Sequence, residues 1–197
     1  MNIEFLLEDP SAQAALDSFL PKLIEPPHTF VTHAFHGKSD LFKNLPMRLK
    51  GYAARFKHDN KTKDWRIIVM INSNGADCRP LKRRIVDAAE AAGISERVTA
   101  RIVVEELEAW YFGDVNAIRS VFPDIFRNLL NRKKYRDPDA IPGGTWKALD
   151  RLLKDSGYAK GFRKLADAEA IGRHLDPDRN FSRSFRVFVS AIRRILS

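Results

Sequence analysis

Between Arg66 and Cys78 the chain spells out a strand, a polar turn and the opening of a helix. The run Ile67 to Ile71 is apolar without interruption and rich in β-branched residues. Such a run predicts a strand buried on both faces, as in the middle of a parallel sheet. It stops at Asn72-Ser73-Asn74-Gly75-Ala76-Asp77, a turn-forming composition, and a helix is predicted from about Pro80 to Ala92, closed by Gly93. Oxygen-bearing side chains thus stand at the carboxyl end of a buried strand, where ligands of open α/β sheets bind. Asn72 and Asn74 are two apart, so an extended backbone can aim both the same way. Aspartates at these places would make a divalent-metal site of the D-x-D kind, but the chain has asparagines.

The flanking sequence repeats the same alternation. Ile3–Leu7 reads as a first strand, followed by a helix from Asp9-Pro10-Ser11 to about Leu23, with Pro10 suited to a first turn. His28–Phe35 reads as a second, weakly alternating strand. Leu41, Leu45, Leu49, Tyr52 and Phe56 recur at helical spacing and predict an amphipathic helix over 40–56, kinked at Pro46. Val98–Val104 is the fourth strand, and Glu105-Glu106-Leu107-Glu108-Ala109-Trp110 opens the next helix. Strand-helix alternation of this kind predicts an α/β fold: a mainly parallel sheet covered by helices, here over residues 1–121. Beyond Phe122 only helical stretches are expected, near Asp124–Leu130, Thr145–Leu153, Ala166–His174 and Ser182–Ile195, forming a basic C-terminal extension over 122–197.

Charge separates these two parts. Residues 131–197 hold 16 Lys/Arg against 8 Asp/Glu, a surplus of +8 out of a net +9. A basic excess favours polyanions, nucleic acid above all. Arg132-Lys133-Lys134-Tyr135-Arg136 and Lys160-Gly161-Phe162-Arg163-Lys164 mix cations with an aromatic, a combination that neutralises phosphates and stacks on bases. Arg183 belongs with these nucleic-acid-binding candidates, and Lys160 is also a candidate to reach the acidic sheet edge. The alternative is a solvated basic face. Cys78 is the single cysteine, so no internal disulfide forms, which suits a reducing cytoplasm. The N-terminus lacks the basic flank and cleavage site of a signal peptide, and no apolar run is long enough to cross a membrane. No phosphate-loop or zinc motif is present.

Acidic or amide groups follow three of the four predicted strands: Glu8; Asn72, Asn74 and Asp77; Glu105, Glu106 and Glu108. Parallel strands share their carboxyl edge, so these groups can converge, and clustered oxygens are what Mg²⁺ or Mn²⁺ takes. The alternative is that the acids favour a helix N-terminus and the asparagines build a turn.

The chain resembles the Toprim domain of topoisomerases, primases and overcoming-lysogenisation-defect nucleases. Glu8 matches that family's glutamate after the first strand, and Asn72-x-Asn74 occupies its D-x-D. More closely, it resembles a Toprim-related bacterial family of unknown function encoded beside ABC-type ATPases in phage-defence loci. That likeness runs through Glu8-Asp9-Pro10-Ser11-Ala12, Phe35-His36-Gly37-Lys38, Asp77-Cys78, Glu106-Leu107-Glu108-Ala109-Trp110, Tyr158-x-Lys160 and Ser182-Arg183-Ser184-Phe185.

The resemblance implies a Mg²⁺- or Mn²⁺-dependent nuclease scaffold. Glu8, Asn72 and Asn74 stand at catalytic and metal positions, with Asp77, Glu106 and Glu108 as supporting metal ligands. Expected partners are nucleic acid, DNA or RNA, and an ABC-type ATPase; a homo-oligomer is open and no membrane is expected. Two amides in place of two carboxylates weaken any divalent site. They mark either a deliberate inactivation or a natural variant that has lost catalysis. The competing function is a non-catalytic module that binds nucleic acid or a partner. A primase- or ligase-like phosphotransfer lacks a nucleotide-binding signature.

Overall fold

The computed structural model describes residues 1–126 and 129–197. Four strands form one all-parallel sheet: β1 (Asn2–Leu7), β2 (Thr29–Ala34), β3 (Arg66–Asn72) and β4 (Val98–Val103), in the spatial order β2-β1-β3-β4. The expected α/β fold with a parallel, helix-covered sheet is therefore present. β1 and β3 are central, as the apolar run Ile67–Ile71 requires; all five of these residues are buried. From β1 the chain moves outward to β2, and from β3 it moves outward to β4 on the other side. The sheet's topological switch point thus lies between the carboxyl ends of β1 and β3.

The pleat divides the core into two layers. Leu6, Ile67, Val69 and Ile71 point to α2 (Lys38–His58) and α3 (Cys78–Ala91), meeting Leu41, Leu45, Leu49, Tyr52, Ile85 and Ala89. α2 runs on through Pro46, which lies on its exposed side. Ile3, Phe5, Leu7, Ile68, Met70 and Val103 point the other way. There they meet α1 (Pro10–Phe19) and the helices that follow β4: α4 (Glu108–Phe112), α5 (Val115–Val121), α6 (Thr145–Asp155), α7 (Lys164–Gly172) and α8 (Arg183–Leu196). Residues 1–121 and 122–197 share this second core. Phe188 of α8 sits 6.2 Å from Phe5 of β1, ring centre to ring centre, and Trp110 lies between Phe185 and Phe188 at 5.1 and 4.9 Å.

Several element boundaries differ from expectation, two of them for evident local reasons. α1 ends at Phe19 and tightens into a 3-10 turn over Leu20–Lys22, where Pro21 removes a donor. α4 starts at Glu108, because Glu105 adopts a left-handed φ of 61° that no helix tolerates. Part of the helix expected near Asp124–Leu130 lies outside the described residues, at 127–128; the described part holds a short 3-10 turn, Leu129–Asn131.

α7 is pressed directly onto α1. A Cβ on Gly172 would stand 2.5 Å from the Ala15 carbonyl oxygen and 3.0 Å from its Cα. Both neighbours are helix backbone and cannot rotate away. Gly172→Ala is expected to cost about 2 kcal/mol by overpacking and to lower Tm by roughly 4–8 °C, read by thermal melting beside the parent protein. An unchanged Tm would show that the two helices can separate without penalty.

Candidate active site

Four elements meet at the switch point. β1 ends at Leu7 and delivers Glu8, whose Oε2 accepts the backbone N–H of Asn72, the last residue of β3, at 2.7 Å. Asp9 is the N-cap of α1: its Oδ1 accepts the N–H groups of Ser11 and Ala12, both at 2.9 Å. Its other oxygen, Oδ2, faces the Lys164 ammonium at 3.3 Å. Lys164 opens α7, and the close α1–α7 contact is what brings it there.

The loops after β3 and β4 fix one another. Ser73 N–H donates to the Val103 carbonyl at 2.8 Å, Asn74 N–H donates to the Glu105 carbonyl at 2.8 Å, and Glu105 N–H donates to Ser73 Oγ at 2.9 Å. Among the described residues, Asn74 (φ 52°) and Glu105 (φ 61°) are the only non-glycine residues in the left-handed region. They face each other across this bridge. Such conformations persist only where surrounding contacts over-determine them, and they concentrate at functional sites. Glu106 then turns toward α6, its Oε2 accepting the Trp146 N–H at 2.7 Å and the Thr145 hydroxyl at 3.2 Å. The Gly143-Gly144 segment is thus a loop leading into a helix start capped by Glu106.

The result is a small cavity of about 80 Å³ lined by Glu8, Asp9, Ser11, Asn72, Asn74, Glu106, Leu107, Glu108 and Lys164. Five predicted site residues, Glu8, Asn72, Asn74, Glu106 and Glu108, come together here from three strand ends. Lys164, expected only as a nucleic-acid contact, is the cavity's cation. Burial and the nearby Glu106 carboxylate push the Glu108 carboxyl from its ordinary 4.5 up to about 7. Burial also raises Glu8, against the lowering effects of the Asn72 N–H and of Lys38. Burial opposes the charge on Lys164, yet Asp9, Glu108 and Glu106 together hold its pKa above the usual range. Tyr111, one turn beyond Glu108, is fully buried, and its hydroxyl has no hydrogen-bond partner among the described residues. Burial, with Glu108 second, pushes it well up. A carboxyl titrating near neutrality beside a fixed ammonium makes a site suited to proton transfer and to an anionic oxygen.

A divalent cation does not fit this donor set. Glu8, Asp9 and Glu106 each have one oxygen committed to a backbone N–H, Lys164 already supplies positive charge, and the two amides bring none. Among the described residues no group of three or more His, Cys, Asp or Glu side chains is placed to hold a metal ion.

Other expected site residues lie elsewhere. Asp77 is the exposed N-cap of α3, accepting the Arg79 N–H at 2.9 Å, and does not line the cavity. Lys160 is exposed and does not line it either; the acidic edge is reached by Lys164, four residues on, because that residue starts the helix packed on α1. Arg163 is the N-cap residue of α7, and both its guanidinium and its backbone N–H donate to the buried Asp167 carboxylate at 2.7 Å. Arg132, Lys133, Lys134 and Arg136 are exposed, but Tyr135 is buried and stacks on Phe112 at 5.2 Å. Phe162 is buried against Tyr111. Neither aromatic is free to stack on a base, since both are packed into the hydrophobic core.

A second, larger cavity escaped the sequence reading. It measures about 920 Å³ and lies between edge strand β2 and α2. Its floor is the buried Glu4 carboxylate, bonded to His33 Nε2 at 2.7 Å, to the Tyr52 hydroxyl at 2.9 Å and to Asn2 at 2.7 Å. The only signal for it was a glutamate inside an otherwise apolar strand.

The chain belongs to the family described as Domain of unknown function (DUF4276), which matches residues 7–193. No curated protein and no solved structure matches it.

Glu108 generates a pH-dependence. Its folded-state pKa of about 7 exceeds the ordinary 4.5, so the folded protein holds this proton more tightly than the unfolded chain. The associated stability is fully present below about pH 4.5 and is lost as pH rises through 7. The span corresponds to on the order of 3 kcal/mol. Glu108→Gln, which keeps the shape without the ionisation, should match the parent below pH 5 and exceed its stability at pH 8. Urea unfolding across pH 4–9 measures this, and parallel curves for the two proteins would refute the buried-carboxyl assignment.

Proposed function

We propose that this member of the DUF4276 family is a nucleic-acid-binding subunit built on a Toprim-like nuclease scaffold, with its cleavage chemistry silenced at Asn72 and Asn74. The observation that carries the reading is the convergence of Glu8, Asn72, Asn74, Glu106 and Glu108 on one cavity at the sheet's switch point. A Toprim-like site draws its acids from those same strand ends. Lys164 supports an anionic substrate, since a fixed ammonium in a half-buried cavity stabilises charge on a phosphoryl oxygen. Glu108 supports proton transfer, since a group titrating near 7 can both give and take a proton at neutral pH. The exposed cations Arg132, Lys133, Lys134 and Arg136 support a polyanionic substrate. A phage-defence role with an ABC-type ATPase partner rests on the resemblance in the five motifs beyond Glu8 and the asparagines.

What the cavity lacks is ligand charge. Asn72→Asp with Asn74→Asp would add two hard anionic oxygens where the amides stand. Without metal, the added carboxylates crowd Glu8 and Glu108 and should lower Tm. With millimolar Mn²⁺ the double variant should regain that loss, because a ligand that binds only the folded state stabilises it. Its Mn²⁺ affinity by calorimetry should exceed the parent's at least about tenfold, since affinity follows ligand charge. Cleavage of labelled DNA or RNA, with and without the ATPase, should appear in the double variant and vanish on Glu8→Gln. Equal Mn²⁺ affinity before and after the double change would remove these positions from any metal site.

A further inference from the structure

The surplus charge of the C-terminal part divides into two sets. Arg163, Arg173, Arg179 and Arg193 each pair with a carboxylate. Arg183, Arg186 and Arg194 do not: among the described residues none forms an ion pair with an acidic side chain, and neither does Arg101 on β4. These four unpaired arginines line one cleft of about 260 Å³, between edge strand β4 and α8. Arg183, Arg186, Ser190 and Arg194 recur at spacings of three and four along the exposed stripe of α8, so their side chains share that side of the helix. Arg101 rises from the sheet to meet them.

Arg101 is the telling residue. One guanidinium nitrogen donates to the Ala100 carbonyl at 2.8 Å, while its Nε is buried with no partner among the described residues. A half-buried guanidinium that shares its cleft with three other arginines is costly, because charges leave water only when something compensates them. Burial and Arg194 both work against its charge. An anion would supply that compensation. Guanidinium forks match the paired oxygens of phosphate, and four of them around one cleft suit a ligand with several phosphates rather than a single carboxylate.

We propose that the cleft of Arg101, Arg183, Arg186 and Arg194 is a phosphate-binding site, filled by successive phosphates of a nucleic-acid strand or by those of a free nucleoside polyphosphate. It deepens the nucleic-acid reading above and rests on it for the first of these sources. β4 links the cleft to the cavity: Glu106 follows Arg101 by five residue steps, at most about 17 Å of extended backbone. Phosphates rise ~3.4 Å per nucleotide along the axis of a duplex, so even a helically stacked strand held at the arginines would reach the cavity within about five nucleotides, and a more extended one within fewer.

The test is binding in EDTA, where cleavage plays no part and a dead cavity cannot mask the result. Fluorescence anisotropy with a labelled single-stranded oligonucleotide is run across a salt series on the full chain. The charge reversal Arg186→Glu with Arg194→Glu should weaken binding at least about 100-fold and flatten the log–log salt slope by about 1.4, the value for two lost single-strand phosphate contacts. Both positions are solvent-exposed, and an unchanged melting curve verifies folding; Arg186→Lys with Arg194→Lys should keep most of the affinity. Changing Arg132, Lys133, Lys134 and Arg136 to Ser should have the smaller effect. Tripolyphosphate and ATP form the second arm. If they raise the parent's Tm but not that of the charge-reversed variant, while oligonucleotide binding ignores the reversal, the cleft is a site for free polyphosphate. If oligonucleotide binding alone responds, the ligand is the strand. Indifference of both ligands to the charge reversal would overturn the proposal.

Discussion

The hydrogen bond from the Asn72 N–H to the Glu8 carboxylate joins the ends of β1 and β3 where the sheet's topology divides. An N–H at the end of a strand has lost its ladder partner and, when buried, must find another. Here the partner is the first side chain after the neighbouring strand. The bond satisfies the backbone and places a carboxylate at the centre of the sheet's carboxyl edge. Everything else at the cavity is arranged around it: Asp9 follows Glu8 directly and caps α1, and α1 in turn carries α7 and with it Lys164. Replacing Glu8 therefore removes both a candidate catalytic group and the acceptor of a buried donor.

The loops after β3 and β4 reinforce this point from the other side. Asn74 and Glu105 sit in backbone conformations that side chains avoid, held by three reciprocal hydrogen bonds. Their cost is met by the surrounding structure, and the consequence is a chain reversal tight enough to bring Glu106 and Glu108 back over the sheet edge. Glu106 then caps α6, so the helices beyond residue 122 are fastened to the site. Asp139 does the same for α8, accepting the Arg183 N–H at 2.6 Å and the Ser184 hydroxyl at 2.8 Å, while Ser184 accepts the Trp110 indole N–H at 3.0 Å. The Glu-Leu-Glu-Ala-Trp and Ser-Arg-Ser-Phe segments, distant in sequence, are one bonded unit.

Charge in the C-terminal part serves two physical purposes. Arginines such as Arg163 and Arg179 are bound to buried or nearly buried carboxylates, Asp167 and Asp114, and hold turns and helix starts together. Those beside β4 have no such partner among the described residues and leave a concentrated positive field on one edge of the molecule. Net charge alone could not separate the two kinds, because pairing is a matter of distance and not of count.

The sequence by itself determined the sheet. The apolar run Ile67–Ile71, the strand-helix alternation and the acids after three strands were sufficient for a parallel α/β fold with Glu8, Asn72, Asn74, Glu106 and Glu108 on one edge, since strand periodicity and shared strand direction are local properties that propagate. Tertiary structure alone decided which other groups join them. Asp77 and Lys160 looked as eligible as Glu108 and Lys164, but Asp77 was taken by a helix cap, and Lys164 won its place because Gly172 lets α7 close onto α1. Tyr135 and Phe162 read as base-stacking aromatics within cationic runs, yet burying a ring yields more free energy than leaving it in water, so both went into the core. The arginine cleft was invisible for the same reason in reverse: it joins Arg101 on an edge strand to a helix more than eighty residues later, and only packing creates that neighbourhood.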